Sequence, residues 1–222
     1  MEKILSNRKK ALTSKGFAAL LMMIFFVSAS VTTLEAQDDK FHFGLRGGVG
    51  MSTLSGFPNS GLKLGFTGGV YFDYDIKKNN ILTAELYYSS GGQQSETLYE
   101  SNNEKIKIYN RYSLHYINLP IIYQYYFTDI LGIEVGPNFR YCMNGGLKTK
   151  IGNGSWQKEE FSTDDYNIFD FGMILGIYTD NLIPHDNFFV SLRAYFGFLD
   201  VIKNVGANKN ISVYVGIGYM LF

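Results

Sequence analysis

The sequence predicts an all-β fold: an eight-stranded antiparallel transmembrane β-barrel preceded by a cleavable signal peptide. Three observations predict it: an export signal at the start, segments of alternating apolar and polar residues, and connections that alternate in length. The last twelve residues, Ile211–Phe222, alternate most clearly. One face there carries Ile211, Val213, Val215, Ile217, Tyr219 and Leu221, whereas the other carries Ser212, Tyr214, Gly216 and Gly218.

The first 36 residues have the anatomy of a secretory signal peptide. A basic region precedes an apolar run from Gly16 to Ala29, and small residues lead to a plausible cleavage site after Ala36. An uncleaved anchor is the alternative, but the run of about 14 residues is shorter than the roughly 20 that span a bilayer. Domain 1–36 is therefore the predicted signal peptide, and 37–222 is the predicted barrel domain.

Charge and cysteine content narrow the function further. The chain has 20 basic and 20 acidic residues, and removal of residues 1–36 leaves a net charge of −3. This balance gives no reason to expect nucleic acid as a partner. Cys142 is the single cysteine. An intrachain disulfide is therefore impossible, and we expect Cys142 to be a small strand residue rather than a reactive thiol.

The first four predicted strands are separated by turn-rich or polar segments. Each alternates apolar residues on one face with small or polar residues on the other, as Leu45 and Val49 do against Arg46 in the first strand. Leu119, Ile121 and Tyr123 oppose Asn118 and Gln124 in the fourth. The predicted ranges are 41–53, 63–74, 81–91 and 111–127.

The last four predicted strands continue this pattern. Ile133 and Val135 oppose Glu134 in the fifth strand, and Leu192 and Ala194 oppose Arg193 in the seventh. The predicted ranges are 131–143, 168–179, 187–199 and 211–222. Each range meets or exceeds the 9–11 residues of a tilted membrane strand.

The connections indicate which way the barrel faces. Those after the second, fourth and sixth strands are short, whereas 93–110 and 144–167 are long. Outer-membrane barrels have short periplasmic turns and longer extracellular loops, and an even strand number leaves both termini in the periplasm. The barrel must close because lipid offers the backbone no hydrogen-bond partners. A soluble barrel or sandwich is the competing architecture, but its polar face would be richer in Lys and Glu.

Several strands resemble a known family. Phe41–Gly56 resembles the first strand of the PorT-like outer-membrane barrels of Bacteroidetes, Tyr116–Phe127 the fourth, and Gly216–Tyr219 the last; Gly132–Pro137 and Asp170–Gly176 resemble the fifth and sixth. The chain departs from the family pattern at Gly50, where Asn is common, and in one extra residue before Phe222. The resemblance implies an eight-stranded barrel in the outer membrane of a Gram-negative bacterium. It implies no catalytic residue and no cofactor.

The predicted inward face collects charges of both signs. Because an eight-stranded barrel is only wide enough for side chains, we expect a filled interior of paired charges. A narrow polar conduit or ligand slot is the alternative. The predicted polar network of the lumen comprises Arg46, Asp73, Glu85, Glu134, Arg140, Asp170 and Arg193.

Other candidate sites are weaker. Asp73 with Asp75, and Asp164 with Asp165, lack the spacing of a dedicated Ca²⁺ loop. His115 follows Ser113 by two residues, but a membrane-embedded hydrolase also needs an orienting acid, which the sequence does not place beside them. His185 lies in a predicted turn. The expected membrane-interface girdle comprises Tyr74, Tyr88, Tyr123, Tyr125, Phe127 and Tyr219.

The sequence favours a non-enzymatic, monomeric or weakly associating barrel. Its role would be structural, or interaction through segments 93–110 and 144–167 with other envelope proteins. A transport or secretion-accessory component and a lipid-modifying enzyme remain alternatives. Outer-membrane lipid and the barrel-assembly machinery are the expected partners, with no cofactor or metal. We expect the last strand to pair with the first, Leu221 to be the last lipid-facing residue, and Phe222 to lie at the periplasmic rim.

Overall fold

A computed structural model describes most of the chain after the N-terminal segment. The predicted signal peptide (1–36), Asp164, His185 and Phe222 lie outside the described residues. No helix in the described part of the chain is long and apolar enough to cross a membrane. The described ranges are 40–57, 59–101, 104–160, 165–180, 187–203 and 206–221.

Antiparallel strands make up nearly all of the described chain. The alternation of apolar with small or polar residues gives each long strand one apolar and one polar face. Two short strands supplement eight long ones within the described ranges. In chain order the strands are β1 Phe41–Leu54, β2 Ser60–Gly61, β3 Lys63–Lys77, β4 Asn80–Ser101, β5 Glu104–Tyr126, β6 Leu131–Ile151, β7 Gln157–Glu160, β8 Phe169–Asp180, β9 Phe188–Asp200 and β10 Lys209–Met220.

The long strands close into a ring. Each pairs with its neighbours in the order β1, β3, β4, β5, β6, β8, β9, β10, and β10 returns to β1. The closing seam pairs Leu45 with Tyr219 and Thr53 with Ile211. The predicted eight-stranded antiparallel barrel is confirmed among the described residues, as is the expected pairing of the last strand with the first.

The apolar face of the sheet points outward. Leu64, Ile121 and Val215 are 74%, 46% and 52% exposed, whereas Arg46, Asn118 and Arg193, on the opposite face, are buried inside the ring. Apolar side chains that face outward in such numbers suit lipid rather than water. The short turns after β3 and β5 mark the periplasmic end, and the opposite end carries the long extensions.

Aromatic side chains surround the periplasmic end of the outer face. Tyr123, Tyr125, Phe127 and Tyr219 are exposed there, and Tyr219 stacks on Phe188 at 4.7 Å between ring centroids. Tyr88 is outward-facing too but lies towards the other end, against Phe66. This placement matches the interface where amphipathic rings are enriched in membrane proteins.

Inward glycines make room for large side chains at the closing seam. A Cβ atom added to Gly218 would lie 2.1 Å from the Phe189 ring, and one added to Gly44 would lie 2.5 Å from the Tyr71 ring. These two glycines therefore let aromatic rings lie flat against the barrel wall.

Two predicted loops were wrong. Segment 93–110 is mostly strand, because β4 runs to Ser101 and β5 begins at Glu104. Segment 144–167 is also partly strand: β6 continues to Ile151, and β7 pairs with it. With β2 added at one edge, these segments form a sheet that extends the barrel wall on the extracellular side. We call it the extension; it comprises 60–61, 92–101, 104–115, 144–151 and 157–160.

The C-terminus follows the predicted register as far as it is described. Leu221 is exposed, on the same parity as Tyr219, and its backbone N–H donates to the Phe43 carbonyl at 2.8 Å. The predicted rim position of Phe222 lies outside the described residues.

Candidate functional site

Four charged side chains meet at the middle of the barrel interior. Arg46 of β1 donates to Glu85 of β4 at 2.6 Å, and Arg193 of β9 donates to the other oxygen of Glu85 at 2.7 Å. Arg193 also donates to both oxygens of Glu134 of β6, at 2.5 and 2.6 Å. Ser191 accepts a further bond from Arg46. We call Arg46, Glu85, Glu134 and Arg193 the central cluster.

The central cluster is buried and has no net charge. Each of its side chains is at most 8% exposed, and two guanidinium groups balance two carboxylates. Buried charges are tolerated when opposite charges and hydrogen bonds compensate for the lost water. Every second strand of the ring supplies one member, namely β1, β4, β6 and β9, so the cluster also connects distant walls of the barrel. The arrangement crosses the lumen.

A second charged pair lies on the extracellular side of the central cluster. Arg140 is 3.4 Å from Asp170, which also accepts a hydrogen bond from the Tyr195 hydroxyl at 2.9 Å. The guanidinium carbon of Arg140 lies 3.8 Å from the Tyr116 ring centroid and 4.3 Å from that of Tyr195. Cation–π contact of this kind adds to the charge pairing. Arg140 is thereby held between two rings, which fill the lumen at this level.

The periplasmic end of the interior is more open. A cavity of about 180 Å³ there is lined by His42, Asp73 and Tyr178, among others, and reaches Glu85. Asp73 accepts from the Thr83 hydroxyl at 2.5 Å, apart from the central cluster. The next cavity, beside Arg193 and Tyr195, measures about 20 Å³, room for about one water molecule. The periplasmic cavity is thus closed at its inner end.

The seven residues predicted for the lumen are all inward-facing, in three separate groups. Arg46, Glu85, Glu134 and Arg193 form the central cluster, Arg140 pairs with Asp170, and Asp73 bonds to Thr83. The sequence places these residues on the inward parity. It does not reveal which charges pair, because the partners are 30 to 108 positions apart in the chain.

An apolar plug closes the extracellular mouth. Leu54 and Leu114 are fully buried there, and Val201 is 2% exposed. Phe57 adds an aromatic contact to Tyr112 at 5.6 Å between centroids. The mouth plug comprises Leu54, Leu114, Tyr116, Cys142, Tyr166, Val201 and Ile202. Sequence reasoning missed this plug, because it assigned Val201 and Ile202 to a connection.

One asparagine fixes the loop that carries Val201 and Ile202 of this plug. The Asn208 side-chain oxygen accepts from the backbone N–H groups of Val201 and Ile202, at 2.9 and 2.6 Å, and its amide donates to the carbonyls of Ile202 and Gly206. Asn208 is 1% exposed. These bonds satisfy backbone groups that the folded-in loop takes out of water. Asn is favoured in turns for this reason, which is the signal that could have located the loop.

The other sequence candidates do not assemble into a site. The Nδ1 atom of His115 is hydrogen-bonded to the Tyr88 hydroxyl at 2.5 Å, on the outward side of β5. His42 lies 3.3 Å from Asp75 at the periplasmic rim. Among the described residues no group of three or more His, Cys, Asp or Glu side chains is placed to hold a metal ion.

The extension has two unlike faces. Its outer face continues the lipid-facing parity of β4 and β5, and Arg111 on this face lies against the Trp156 ring at 5.3 Å. Its inner face leads to the mouth plug through Gln93 and Tyr112. On the outer face Glu96 pairs with Lys107 at 2.7 Å, and hydrogen bonding to Glu96 together with its negative charge raises the pKa of Lys107.

Comparison with solved structures finds similar chains among outer-membrane barrels. Ail, the attachment invasion locus protein of Yersinia pestis, is 12% identical, with a TM-score of 0.44 over 82% of this chain and 99% of that one. Neisserial surface protein A is 13% identical, with a TM-score of 0.42 over 81% and 96%. OprG from Pseudomonas aeruginosa is 11% identical, with a TM-score of 0.30 over 82% and 94%.

Comparison with curated proteins finds no match. The family described as outer membrane protein beta-barrel domain, by contrast, matches residues 35–203, more than half of the chain. The closed ring and its outward apolar face agree with that match. The chain therefore belongs to the outer membrane protein beta-barrel domain family and resides in the outer membrane of a Gram-negative bacterium.

Proposed function

We propose that this protein is a non-conducting, non-enzymatic barrel that holds the extension on the cell surface as an interaction platform. The observation that carries the proposal is the filled interior. The central cluster crosses the lumen at mid-height, and the mouth plug closes it on the extracellular side. With the lumen closed to solutes, the surfaces left to act lie outside the membrane.

The paired strands of the extension favour a role as a rigid platform over one as a flexible loop. β4 and β5 pair continuously from Tyr87 and Asn118 to Ser101 and Glu104. β6 and β7 add two more paired strands at this level. Paired backbone loses less conformational freedom on binding than a loose loop does, which favours recognition of another macromolecule.

The proposal includes a finer family relation and an assembly route. The strand motifs in Phe41–Gly56 and Tyr116–Phe127 support membership of the PorT-like barrels of Bacteroidetes. The barrel-assembly machinery would recognise the aromatic end of β10 before the β1–β10 seam closes. Outer-membrane lipid and other envelope proteins are the proposed lasting partners.

Cross-linking in the native outer membrane tests the platform. A photoreactive residue at Tyr99, which is 60% exposed and lies on the inner face of the extension, should give adducts with neighbouring envelope macromolecules. The same residue at Lys77, in the periplasmic turn region, is the matched control and should not give these adducts. A lack of adducts at Tyr99 and at other extension positions would overturn the proposal.

The enzyme alternative has its own test. Expression of the protein should leave the structure of lipid A unchanged, as judged by mass spectrometry. A lipid A modification that is present with the wild-type protein and lost on His115→Ala would contradict a non-enzymatic role.

A further inference from the structure

The outer face of the extension carries more basic than acidic residues. Opposed residues on paired antiparallel strands share a face, so Gln94, Arg111, Lys148 and Lys158 form one row across four strands. Glu96, Tyr109 and Lys150 form the next row. By strand register the outer face holds three acidic residues, Glu96, Glu100 and Glu160. It holds six basic residues: Lys105, Lys107, Arg111, Lys148, Lys150 and Lys158.

The inner face of the same sheet provides the contrast. The opposed residues there include Ser95, Asn110, Thr149 and Gln157, which form one row. Its described side chains include no Lys or Arg and one carboxylate, Glu159. The basic residues of the sheet therefore lie on the face that points away from the barrel axis.

The distance of this face above the apolar belt of the barrel indicates which kind of partner it can reach. Along β5, towards the extracellular end, the outward apolar residues end at Ile117, and Arg111 lies six residues before Ile117 in the chain. At about 3.3 Å per residue and a tilt near 45°, Arg111 lies about 14 Å above the apolar belt. A phospholipid headgroup layer is only about 5–8 Å thick. The basic rows therefore lie at the level of the larger saccharide headgroups of the outer leaflet.

A groove at the edge of the extension offers groups that suit a sugar. It measures about 720 Å³. The outer face contributes Gln94, Glu96, Tyr109 and Arg111 to its lining, the inner face contributes Ser95 and Asn110, and Trp156 and Asn59 also line it. Trp156 is 45% exposed, so part of its indole ring is free to stack on a saccharide ring. Amide side chains supply donors and acceptors for hydroxyl groups, and guanidinium binds phosphate by paired hydrogen bonds.

We propose that the outer face of the extension binds the phosphorylated saccharide headgroup of the surrounding outer-leaflet glycolipid. The phosphates lie against the row of Arg111, Lys148 and Lys158, and a sugar ring lies in the groove beside Trp156. The inference deepens the proposed platform function: the outer face anchors the extension in the glycolipid layer, and the inner face and tip stay available to a macromolecular partner.

The test compares two variants of the folded, detergent-solubilised protein with equal loss of charge. One carries Arg111→Gln, Lys148→Gln and Lys158→Gln. The matched control carries Lys40→Gln, Lys77→Gln and Lys78→Gln at the periplasmic end. The probe is rough-type lipopolysaccharide with a phosphorylated core, and heat-modifiable migration verifies that each variant folds. We expect the first variant to bind at least about tenfold more weakly than wild type, and the control to bind like wild type.

Further ligands test which part of the lipopolysaccharide the site binds, and whether another lipid or a free saccharide binds as well. Dephosphorylated lipopolysaccharide should bind more weakly than the intact form, and raised salt should weaken binding to the intact form. Trp156→Ala should weaken binding to lipopolysaccharide but not to phosphatidylglycerol vesicles. Equal binding by the row variant and the control would overturn the inference, as would equal binding of phosphatidylglycerol and lipopolysaccharide by wild type. Equally tight binding of the free core oligosaccharide would assign the site to a soluble saccharide instead. None of these results affects the cross-linking test of the platform.

Discussion

The barrel interior and the outer face of the extension differ in how their charged side chains are compensated. Inside, Arg46 and Arg193 are each matched to carboxylates within 2.7 Å, and the central cluster is neutral. Outside, Arg111, Lys148 and Lys158 lie in one row of exposed cations. Buried charges must be compensated by the protein itself, whereas exposed charges can be compensated by a ligand. The charges of the interior are therefore compensated within the barrel, whereas those of the extension are open to the contacts that we propose.

The largest change in the free energy of unfolding should come from removing one charge of the central cluster. Glu85→Ala leaves the buried guanidinium groups of Arg46 and Arg193 without the carboxylate that they share. Loss of one partner of a buried ion pair costs about 3–5 kcal/mol, so the free energy of unfolding should fall by about that amount. Denaturant titration followed by heat-modifiable migration measures it. Glu159→Ala, on the inner face of the extension, is the control and should have little effect.

The double variant Arg46→Met/Glu85→Met sharpens the same comparison. It removes one charge of each sign and leaves the two hydrogen bonds between Arg193 and Glu134 in place. Because no net charge is left over, the double variant should be less destabilised than Glu85→Ala. Greater destabilisation of the double variant, by the same titration, would show that packing rather than charge balance dominates this level of the lumen.

The mouth plug should give the next largest effect. Leu114 is fully buried, so Leu114→Ala leaves a cavity and should lower the free energy of unfolding by about 3 kcal/mol. Leu98→Ala, which shortens a leucine that is exposed on the extension, should change it by less than about 0.5 kcal/mol. Equal losses in the two variants would mean that the mouth is not packed as a core.

A smaller effect is expected at the loop that carries Val201 and Ile202. Asn208→Ala removes the acceptor for two backbone N–H groups and the donor for two carbonyls. Unsatisfied buried groups of this kind cost about 1–3 kcal/mol. Amide hydrogen exchange at Val201 and Ile202 should accelerate while exchange at the Ile217 amide, in the closing seam, stays unchanged. Unaltered exchange at Ile202, whose amide donates to the Asn208 side chain, would contradict the role given to Asn208.

The smallest effect is expected for the exposed pair Lys107 and Glu96. Lys107→Gln should leave the unfolding midpoint unchanged, since exposed ion pairs contribute little to stability. A clear shift of the midpoint, comparable to that of Glu85→Ala, would remove the distinction between the two regions.

The sequence predicted the barrel better than the extension, for a physical reason. Strands against lipid show strict alternation because one face must be apolar, as in Leu119, Ile121 and Tyr123. Segment 93–101 has water on its outer face, so nothing in it requires an apolar side. Its strand conformation comes from pairing with β5, which alternation alone does not reveal. The inward position of Arg46 and Arg193 followed from parity, but their sharing of Glu85 depends on barrel closure.

The mouth plug was missed for a related reason. Val201 and Ile202 stand alone in a polar connection and carry no periodic signal. They become buried only because Asn208 folds the loop over Leu54 and Leu114, which come from distant parts of the chain. Contacts of this kind are set by the closed ring and not by local sequence.

The central claim is that the lumen is closed, and conductance across planar lipid bilayers tests it most directly. The folded wild-type protein, inserted in bilayers where a porin-type barrel gives clear current steps, should add no current above the protein-free membrane. Heat-modifiable migration of protein recovered from the same membranes verifies insertion. Discrete, reproducible current steps from the inserted wild-type barrel would contradict the account.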